Sequence, residues 1–328
     1  MSGPILVTGP DRSGTTLLYQ LLASHPNISM VRRTNMFRWF HGRFGDLAEP
    51  SNLDRCLDTI LRYARVQVLR PDEAEIRAAL SEGPPTYGRL FSIMHEREMT
   101  RRGKSRWGDK SLHTEHHADD VFAAWPDASM IHLVRDPRDR HASVSRRYEG
   151  RSKGIGSITG RWLVSMRAGE RNLRRYSDRY LVVRYEDLVH ETESVLHSVC
   201  GLIDEPFDAE MLRMNGALDA QDSEGNSSFE AVPPGTISAR SIGRFRSVLA
   251  PEEIRFIELA TATARGTYGY PTEIPRPAMK HALGFYGRYL PENLARLGGW
   301  MVNDGIARRR GTDVPESRLS TEGAESHE

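Results

Sequence analysis

A short apolar run followed by a glycine-bounded loop is the feature that most constrains how this chain can fold. Residues 4–8 read Pro-Ile-Leu-Val-Thr, and the loop that follows runs from Gly9 to Gly14. A strand, a tight turn and a helix in this order aim backbone N–H groups and the positive end of the helix at one point. The pattern therefore predicts a βαβ unit with an anion site in its loop. The apolar positions of the predicted helix are Leu17, Leu18, Leu21 and Leu22.

Further apolar runs alternate with helical patterns along the chain. Strands are predicted at 28–31, 129–134 and 180–183, with helices between them. This alternation predicts an α/β fold with a parallel sheet and helices on both faces. Residues 51–103 keep helical spacing, which predicts that the segment between the strands at 28–31 and 129–134 is mainly helical.

Charge and composition exclude several classes of protein. The 328 residues contain 45 Lys and Arg against 44 Asp and Glu, a net charge of +1. This balance argues against a nucleic-acid binder whose affinity comes from bulk charge. The two cysteines form neither a disulfide framework nor a zinc motif, so we expect the protein to bind no metal. A leader peptide and an apolar run of about 20 residues are not found in the sequence, so we expect a cytoplasmic protein.

The first loop differs from the loop of ATPases at one position. Its Gly-x4-Gly spacing matches the Walker A pattern, but Thr15-Thr16 follows where that pattern requires Lys with Ser or Thr. The positive charge comes earlier, at Arg12. An ATP-dependent phosphotransferase of the P-loop type is therefore the weaker alternative. A catalytically silent nucleotide-binding protein is a further one.

A second junction between a strand and a helix carries a similar signal. The predicted strand 129–134 leads into Arg135, a helix follows from Pro137, and Ser143 comes two helical turns after Arg135. In open parallel sheets, ligands bind at the carboxyl edge of the strands. The segment therefore predicts a second anion site at the edge where the first loop lies. A capped helix start with surface ion pairs is the alternative interpretation.

Both motifs resemble those of sulfotransferases that use 3′-phosphoadenosine 5′-phosphosulfate (PAPS). Residues 12–16 match the family's 5′-phosphosulfate loop, in the form typical of tyrosylprotein and related bacterial sulfotransferases. Arg135 and Ser143 match its 3′-phosphate motif. The resemblance covers roughly residues 3–265. It implies a P-loop-like nucleotide-binding fold and in-line sulfuryl transfer from PAPS without a metal, with adenosine 3′,5′-bisphosphate (PAP) as the product.

Two weaker matches add residues that the resemblance places near the nucleotide. Tyr185 opens a Tyr-Glu-Asp-Leu segment, whose Tyr lies near the adenine in the family. Ser238 and Arg240 precede a segment in which Phe245 replaces the family's Trp, and this segment is implied to close over the 3′-phosphate. An ordinary strand-end Tyr and a flexible basic loop are the alternatives. The residues expected to bind PAPS are Arg12, Ser13, Gly14, Thr15, Thr16, Arg135, Ser143, Tyr185, Ser238 and Arg240.

The transfer itself needs cations for the leaving phosphate and a base for the acceptor. The resemblance of the first loop implies Arg12 as one of the cations. Residues 109–111 (Asp-Lys-Ser) resemble the Glu-Lys-Ser/Thr segment of heparan-type sulfotransferases, which implies Lys110 as a second cation. The Glu of that segment is the base in those enzymes. The base of tyrosylprotein sulfotransferases is missing here, since Arg33 stands at its position. A helix cap with a surface cation is the alternative. The candidate bases are Asp109 in first place, with His41 and His113 in reserve.

The remaining expectations concern the acceptor and the C-terminal part. We expect a hydroxyl acceptor in a small molecule, a glycolipid or a glycan. Gly298-Gly299 and other breaks are expected to interrupt any long C-terminal helix. We expect the C-terminal extension to pack on the parent domain or form a homodimer contact, with peripheral membrane contact through 278–310 as the alternative. The predicted units are a sulfotransferase domain over 1–277 with a helical acceptor lid over 31–105, an aromatic extension over 278–307 and a disordered tail over 308–328.

Overall fold

A parallel sheet forms the centre of the chain in the computed structural model. The structure describes residues 3–147, 154–216, 233, 235–273, 283–310 and 319. The strands in these residues are β1 (Ile5–Thr8), β2 (Ile28–Arg32), β3 (Arg106–Lys110), β4 (Ser129–Val134) and β5 (Tyr180–Arg184). Their order across the sheet is β2-β3-β1-β4-β5, and every described pair is parallel. The chain runs from β1 to β2 on one side of the sheet and from the neighbouring β4 to β5 on the other, which opens a crevice at the carboxyl edge between β1 and β4.

Helices connect the strands. Up to β5 they are α1 (Thr15–Ala23), α2 (Met36–Trp39), α3 (Pro50–Leu61), α4 (Glu73–Ser81), α5 (Tyr87–Arg101), α6 (Ala118–Ala124), α7 (Pro137–Arg147) and α8 (Gly154–Arg175). After β5 they are α9 (Tyr185–His190), α10 (Thr192–Ile203), α11 (Phe245–Val248), α12 (Pro251–Ala260), α13 (Ala262–Thr267) and α14 (Leu290–Arg310). Short 3₁₀ segments lie at Ala64–Leu69, Thr114–His117, Ala209–Arg213 and Ala239–Ser241, and a π-helical turn at Phe285–Tyr289 leads into α14.

Two apolar clusters cover the two faces of the sheet. Leu6 of β1 belongs to the cluster that includes residues of α3, α5 and α6. Ile5 and Val7 of the same strand belong to the cluster formed with α1 and α10. Successive side chains of a strand point to opposite faces, so one short strand supplies both clusters. The predicted α/β fold with a parallel sheet and helices on both faces is confirmed.

The sequence pattern does not predict β3. The strand reads Arg-Trp-Gly-Asp-Lys, yet all five residues are buried. Gly108 permits the close packing, because a Cβ there would lie 2.8 Å from the Ile5 carbonyl oxygen and 2.4 Å from the Met30 sulfur. Arg106 is held by a hydrogen bond from its Nε to the Gly3 carbonyl oxygen at 2.8 Å. Contacts with residues distant in sequence therefore hold a polar segment in the sheet.

The C-terminal helix α14 packs along α8. A Cβ at Gly156 of α8 would lie 2.2 Å from the Asn293 carbonyl oxygen of α14. The expected interruption at Gly298-Gly299 is wrong, because α14 continues through both residues to Arg310. Each glycine costs a helix about 1 kcal/mol, and packing against α8 offsets this cost. The predicted tail therefore starts too early at 308, and its remainder lies outside the described residues apart from position 319.

Two further features of the fold are the apolar character of its helices and the state of its two cysteines. Among the described helices, none combines the length and the apolar character that crossing a bilayer requires. Cys56 and Cys200 are both buried free thiols. Burial raises the pKa of Cys56 to about 12 and that of Cys200 to about 11, so both thiols stay protonated at neutral pH.

Gly156→Val is expected to lower the free energy of unfolding by about 1–3 kcal/mol, because the new side chain overlaps the Asn293 carbonyl group. Urea denaturation would measure the loss. The control is Gly201→Ala in α10, where an added Cβ meets no atom within 4 Å and is expected to stabilise the helix by up to about 1 kcal/mol. Unchanged stability in Gly156→Val would contradict the packing of α14 on α8.

Candidate active site

The carboxyl edge of the sheet brings the two predicted anion motifs together. β1 leads into the first loop, and the neighbouring β4 leads through Arg135 into α7. Arg12 Nε donates to Ser143 Oγ at 2.9 Å, although the two residues are 131 positions apart. Arg135 Nη1 donates to the backbone oxygen of Arg12 at 3.1 Å. The loop that begins α1 and the start of α7 therefore line one crevice.

The backbone of the first loop requires its glycine. Gly14 caps α1 with a φ of +90°, in the left-handed region that residues with a Cβ rarely adopt. A Cβ there would also lie 2.3 Å from the ring of Tyr185. The nearly fully buried Arg140 supports the loop by donating from Nε to the Asp11 carbonyl oxygen at 2.9 Å and by pairing with the Asp11 carboxylate. The N–H groups at the start of α1 thus form a supported anion site.

Tyr185 lies between the two motifs. Its ring is adjacent to Gly14, and the guanidinium carbon of Arg135 lies 4.6 Å from the ring centre. Its hydroxyl shares a hydrogen bond of 2.8 Å with Ser241 Oγ, while Arg135 Nη2 donates to the Ser241 carbonyl oxygen at 2.7 Å. Ser241 therefore joins the late segment, residues 238–246, to the second motif. Its role could not be predicted, because no signal in the sequence distinguishes Ser241 from the neighbouring polar residues.

The other predicted residues of the late segment are placed less centrally. Ser238 Oγ accepts from the Arg240 N–H at 3.3 Å and so caps a 3₁₀ turn, and the Arg240 side chain is exposed. Asp139 of α7 holds the segment in place, because its carboxylate accepts from the N–H groups of Gly243 at 2.6 Å and Phe245 at 2.9 Å. The segment thus lies against the second motif through its backbone.

Two buried polar atoms in the motifs fit an anionic ligand. Within the described residues, Ser13 Oγ and Arg135 Nε have no hydrogen-bond partner. Buried polar groups in proteins are nearly always paired, so an unpaired hydroxyl and an unpaired guanidinium N–H suit the oxygens of a phosphate group. The residues of the crevice therefore fit PAPS.

The structure separates Lys110 from Asp109. Lys110 Nζ donates to Thr16 Oγ1 of α1 at 3.4 Å, which places the amine beside the first loop. Asp109 precedes it on β3, and successive side chains of a strand point to opposite faces. The carboxylate of Asp109 therefore points toward α5, away from α1.

Asp109 is buried and held on several sides. It accepts hydrogen bonds from the hydroxyls of Thr34 and Ser111, the latter at 3.0 Å, and His95 Nε2 of α5 lies 3.6 Å from its carboxylate. A small cavity on this side of the sheet is lined partly by aromatic residues. These are Phe37, Phe91, His95, Trp107 and Trp125.

The two reserve histidines lie in different regions. His113 follows β3 with a φ of +68° and is close enough to Asp11 of the first loop for their charges to interact. Burial lowers the pKa of His113, and the nearby Glu115 opposes this shift. The ring of His41 stacks on Phe37 with a centroid distance of 5.1 Å, and burial lowers its pKa as well. Of the two, His113 is the one whose charge interacts with a residue of the first loop.

A family comparison decides the class of this enzyme. Residues 4–209 match the model described as the sulfotransferase family, which is more than half of the chain. The chain belongs to the sulfotransferase family. The prediction of a PAPS-dependent sulfotransferase is thereby confirmed, while the acceptor is not specified.

Solved sulfotransferase structures share the fold. The sulfotransferase domain of the Synechococcus PCC 7002 olefin synthase is 21% identical and covers 83% of this chain and 98% of its own, with a TM-score of 0.55. The sulfotransferase domain from the curacin biosynthetic pathway is 18% identical and covers 84% of this chain and 99% of its own, with a TM-score of 0.53. No curated protein sequence matches the chain.

One group of side chains in the described part of this sulfotransferase has the spacing of metal ligands. The ligand atoms of His113, Glu115 and His116 lie within 4.8 Å of one another. Both carboxylate oxygens of Glu115 already accept hydroxyl hydrogen bonds, from Thr8 and from Ser165, each at 2.5 Å. These bonds give the carboxylate partners within the protein. That sulfuryl transfer here needs no metal stays a prediction.

Gly14→Ala is expected to weaken the binding of PAP to the sulfotransferase at least about tenfold, because the methyl group both strains the loop and displaces Tyr185. Isothermal titration calorimetry would measure the affinity. Gly42→Ala is the matched control, since Gly42 also has a positive φ, +71°, but an added Cβ meets no atom within 4 Å. Equal affinities in the two variants would contradict the importance of the contact with Tyr185.

Proposed function

We propose that this sulfotransferase moves the sulfuryl group of PAPS to a hydroxyl of a small molecule, a glycolipid or a glycan, with His113 as the general base. The observation that carries the proposal is the convergence of two anion motifs on one crevice. The hydrogen bonds of Arg12 to Ser143 and of Arg135 to Arg12 join these motifs directly. A donor with two separated anionic groups, as PAPS has, suits such a crevice.

Each end of the donor has a proposed set of partners. The N–H groups at the start of α1, with the hydroxyls of Ser13, Thr15 and Thr16, are proposed for the 5′-phosphosulfate. Arg135 and Ser143 are proposed for the 3′-phosphate, which the unpaired Nε of Arg135 supports. The adenine is proposed to lie near Tyr185. Ser238 and Arg240 are proposed to approach the 3′-phosphate from the late segment.

The cations at the first loop are proposed to stabilise the leaving group. During in-line transfer, the acceptor oxygen forms a bond to sulfur while the bond from sulfur to the phosphate oxygen breaks. Negative charge then grows on the phosphate. The amine of Lys110, held beside Thr16, and the guanidinium of Arg12 are the positive groups proposed to stabilise it.

The position of His113 favours it over Asp109 as the base. His113 is close enough to Asp11 of the first loop for their charges to interact, and because burial lowers its pKa, it is neutral at neutral pH and able to accept a proton. Asp109 lies on the other side of the sheet, where hydroxyls donate to its carboxylate. We therefore propose Asp109 as a support for the acceptor-side segment, because Ser111, which it holds, accepts from the Asn35 N–H at 2.9 Å. His41 is proposed only as part of the acceptor-side wall.

The finer predictions about the setting of the enzyme stay proposals. Two buried, protonated thiols suit a reducing cytoplasm. Contact of the C-terminal part with a membrane surface or with a second copy of the chain is supported by a set of exposed apolar residues. These are Leu283, Tyr286, Leu294, Val302 and Ile306.

Arg135→Ala is expected to weaken PAP binding by about tenfold to a hundredfold, because a charge-assisted contact with the 3′-phosphate is lost. Calorimetry with PAP and with ATP would measure this. Wild-type protein is expected to bind PAP more tightly than ATP, because ATP lacks a 3′-phosphate. The control Arg62→Ala removes an exposed arginine that pairs with Asp58, and should leave both affinities unchanged. Tight ATP binding without a response to PAP would favour the phosphotransferase alternative.

His113→Ala is expected to lower the turnover of PAPS by about a hundredfold or more without changing PAP affinity, because the base is removed and the anion motifs remain. Labelled sulfate transferred from PAPS to acceptors in a cell extract would measure turnover. Asp109→Asn is the comparison, and it is expected to retain more activity than His113→Ala. The opposite ranking would restore Asp109 as the base.

The rate of the wild-type enzyme is expected to fall toward low pH as His113 becomes protonated. Because burial lowers the pKa of His113 from its ordinary 6.5, the midpoint of this fall lies below pH 6.5. Turnover measured between pH 4.5 and 8 would show it. A midpoint above pH 6.5 would contradict a buried, neutral His113 as the base.

A further inference from the structure

We infer that Glu115 is a positioning residue for His113, a buried and ionised carboxylate that orients the imidazole and stabilises it once it has taken the proton of the acceptor. The inference rests on the proposed role of His113 as the base. Glu115 lies on the side of the His113 imidazole that bears Nδ1.

The geometry places one carboxylate oxygen against two imidazoles. Glu115 lies in the 3₁₀ turn Thr114–His117, directly after β3, and its side chain has no exposed surface. Its Oε1 is 3.9 Å from His113 Nδ1 and 3.7 Å from His116 Nε2. The two rings are nearly parallel, with an angle of 8° and a centroid distance of 6.2 Å. The carboxylate therefore faces the Nδ1 side of His113.

Hydrogen bonds fix the carboxylate in this position. Thr8 Oγ1 donates to Oε2 and Ser165 Oγ donates to Oε1, each at 2.5 Å. Thr8 also accepts from the Glu115 N–H at 3.2 Å. Thr8 ends β1 just before the first loop and Ser165 belongs to α8, so these bonds tie the carboxylate to both elements. At 3.9 Å, Oε1 is beyond hydrogen-bond distance of His113 Nδ1, so the carboxylate acts on the ring through its charge.

The charges around the pair support an ionised Glu115 beside a neutral His113. Burial raises the pKa of Glu115, but the nearby His116, His132 and His113 and the bond from Ser165 outweigh it, so the pKa lies well below its ordinary value. A buried anion of this kind needs compensating positive charge. Among the groups that lower the pKa of Glu115, His116 has the largest effect.

Other charged groups also face His113, from several elements. They are Asp11 in the first loop, Arg38 in α2 and Arg161 in α8. The two arginines disfavour a positive His113, while Asp11 and Glu115 favour it, and Glu115 has the largest effect of the four. Removal of the Glu115 charge is therefore the change that most alters how readily His113 takes a proton.

The reaction supplies that proton. The acceptor O–H bond breaks, its proton moves to Nε2 of His113, the acceptor oxygen bonds to sulfur, and the electron pair of the broken sulfur–oxygen bond stays on PAP. His113 then carries a positive charge next to the Glu115 carboxylate, with its Nδ1–H directed at Oε1. The imidazolium afterwards releases the proton to water, so that the sulfated acceptor, PAP and one proton leave the enzyme.

The test is Glu115→Gln, which keeps the shape of the side chain and removes its charge. Two readouts are taken on the full chain. The pKa of His113 is followed by NMR in the absence of substrate, and turnover of PAPS with cell-extract acceptors is followed against pH. We expect the His113 pKa and the midpoint of the rate to move together to lower pH, turnover to fall at least about tenfold, and PAP affinity to stay unchanged.

A surface pair provides the matched control. Glu193 and His197 of α10 also lie 3.9 Å apart, but both are mostly exposed, so Glu193→Gln is expected to leave the His113 titration and turnover unchanged. If Glu115→Gln does not fold, Ser165→Ala replaces it, because it frees the carboxylate without removing its charge. Ser165→Ala is then expected to lower turnover severalfold with PAP affinity intact, and Ser165→Thr to restore part of it.

The outcomes separate this inference from the proposed function. An unchanged His113 pKa in folded Glu115→Gln overturns the positioning role, as does unchanged turnover in Ser165→Ala if that variant has to be used. A His113 pKa that falls while the midpoint of the rate stays fixed shows that Glu115 acts on His113 but that the base is another residue. In that case the positioning contact stands, and the assignment of His113 as the base fails.

Discussion

The guanidinium of Arg135 is the group on which the arrangement of the crevice depends. It lies where β4 ends, donates to the carbonyl oxygens of Arg12 and Ser241, and covers the ring of Tyr185. A planar group with several N–H donors can bind partners in several directions at once. Segments that are far apart in the sequence thus meet at one side chain. Its unpaired Nε and its fixed positive charge are the features that we propose to bind the 3′-phosphate.

The start of α7 shows how the surrounding structure makes this possible. The alternative interpretation of residues 135–139, a helix start with surface ion pairs, is correct about the pairs but wrong about their location. Arg138 is almost fully buried and pairs with Asp136 and Glu258, each at 2.6 Å. Each carboxylate at the helix start also accepts from backbone N–H groups, as Asp136 does from Arg138 at 2.8 Å. The charges are therefore buried in pairs, which keeps the cost of burial low.

Much of the fold and part of the site could be predicted from local sequence patterns. The strand–loop–helix of residues 4–23 and the junction at Arg135 are local features, so their spacing alone indicates them. Our proposal of His113 rather than Asp109 as the base could not be reached from the sequence in the same way, because it depends on β3. That strand has a polar sequence, and only its neighbours bury it. Without β3, the opposite directions of Asp109 and Lys110 could not be foreseen, and Asp109 is the natural first choice.

The contact between α8 and α14 connects the C-terminal helix to Glu115, which lies beside the proposed base His113. One face of α8 carries Gly156 and receives α14, while Ser165 of the same helix donates to Glu115 behind the first loop. Helix α14 therefore supports α8, the helix whose Ser165 holds the Glu115 carboxylate. A protein shortened to residue 277 would keep both nucleotide motifs but lose this support. Ligand binding and turnover would then respond differently to the truncation, because α14 contributes no residue to the two anion motifs.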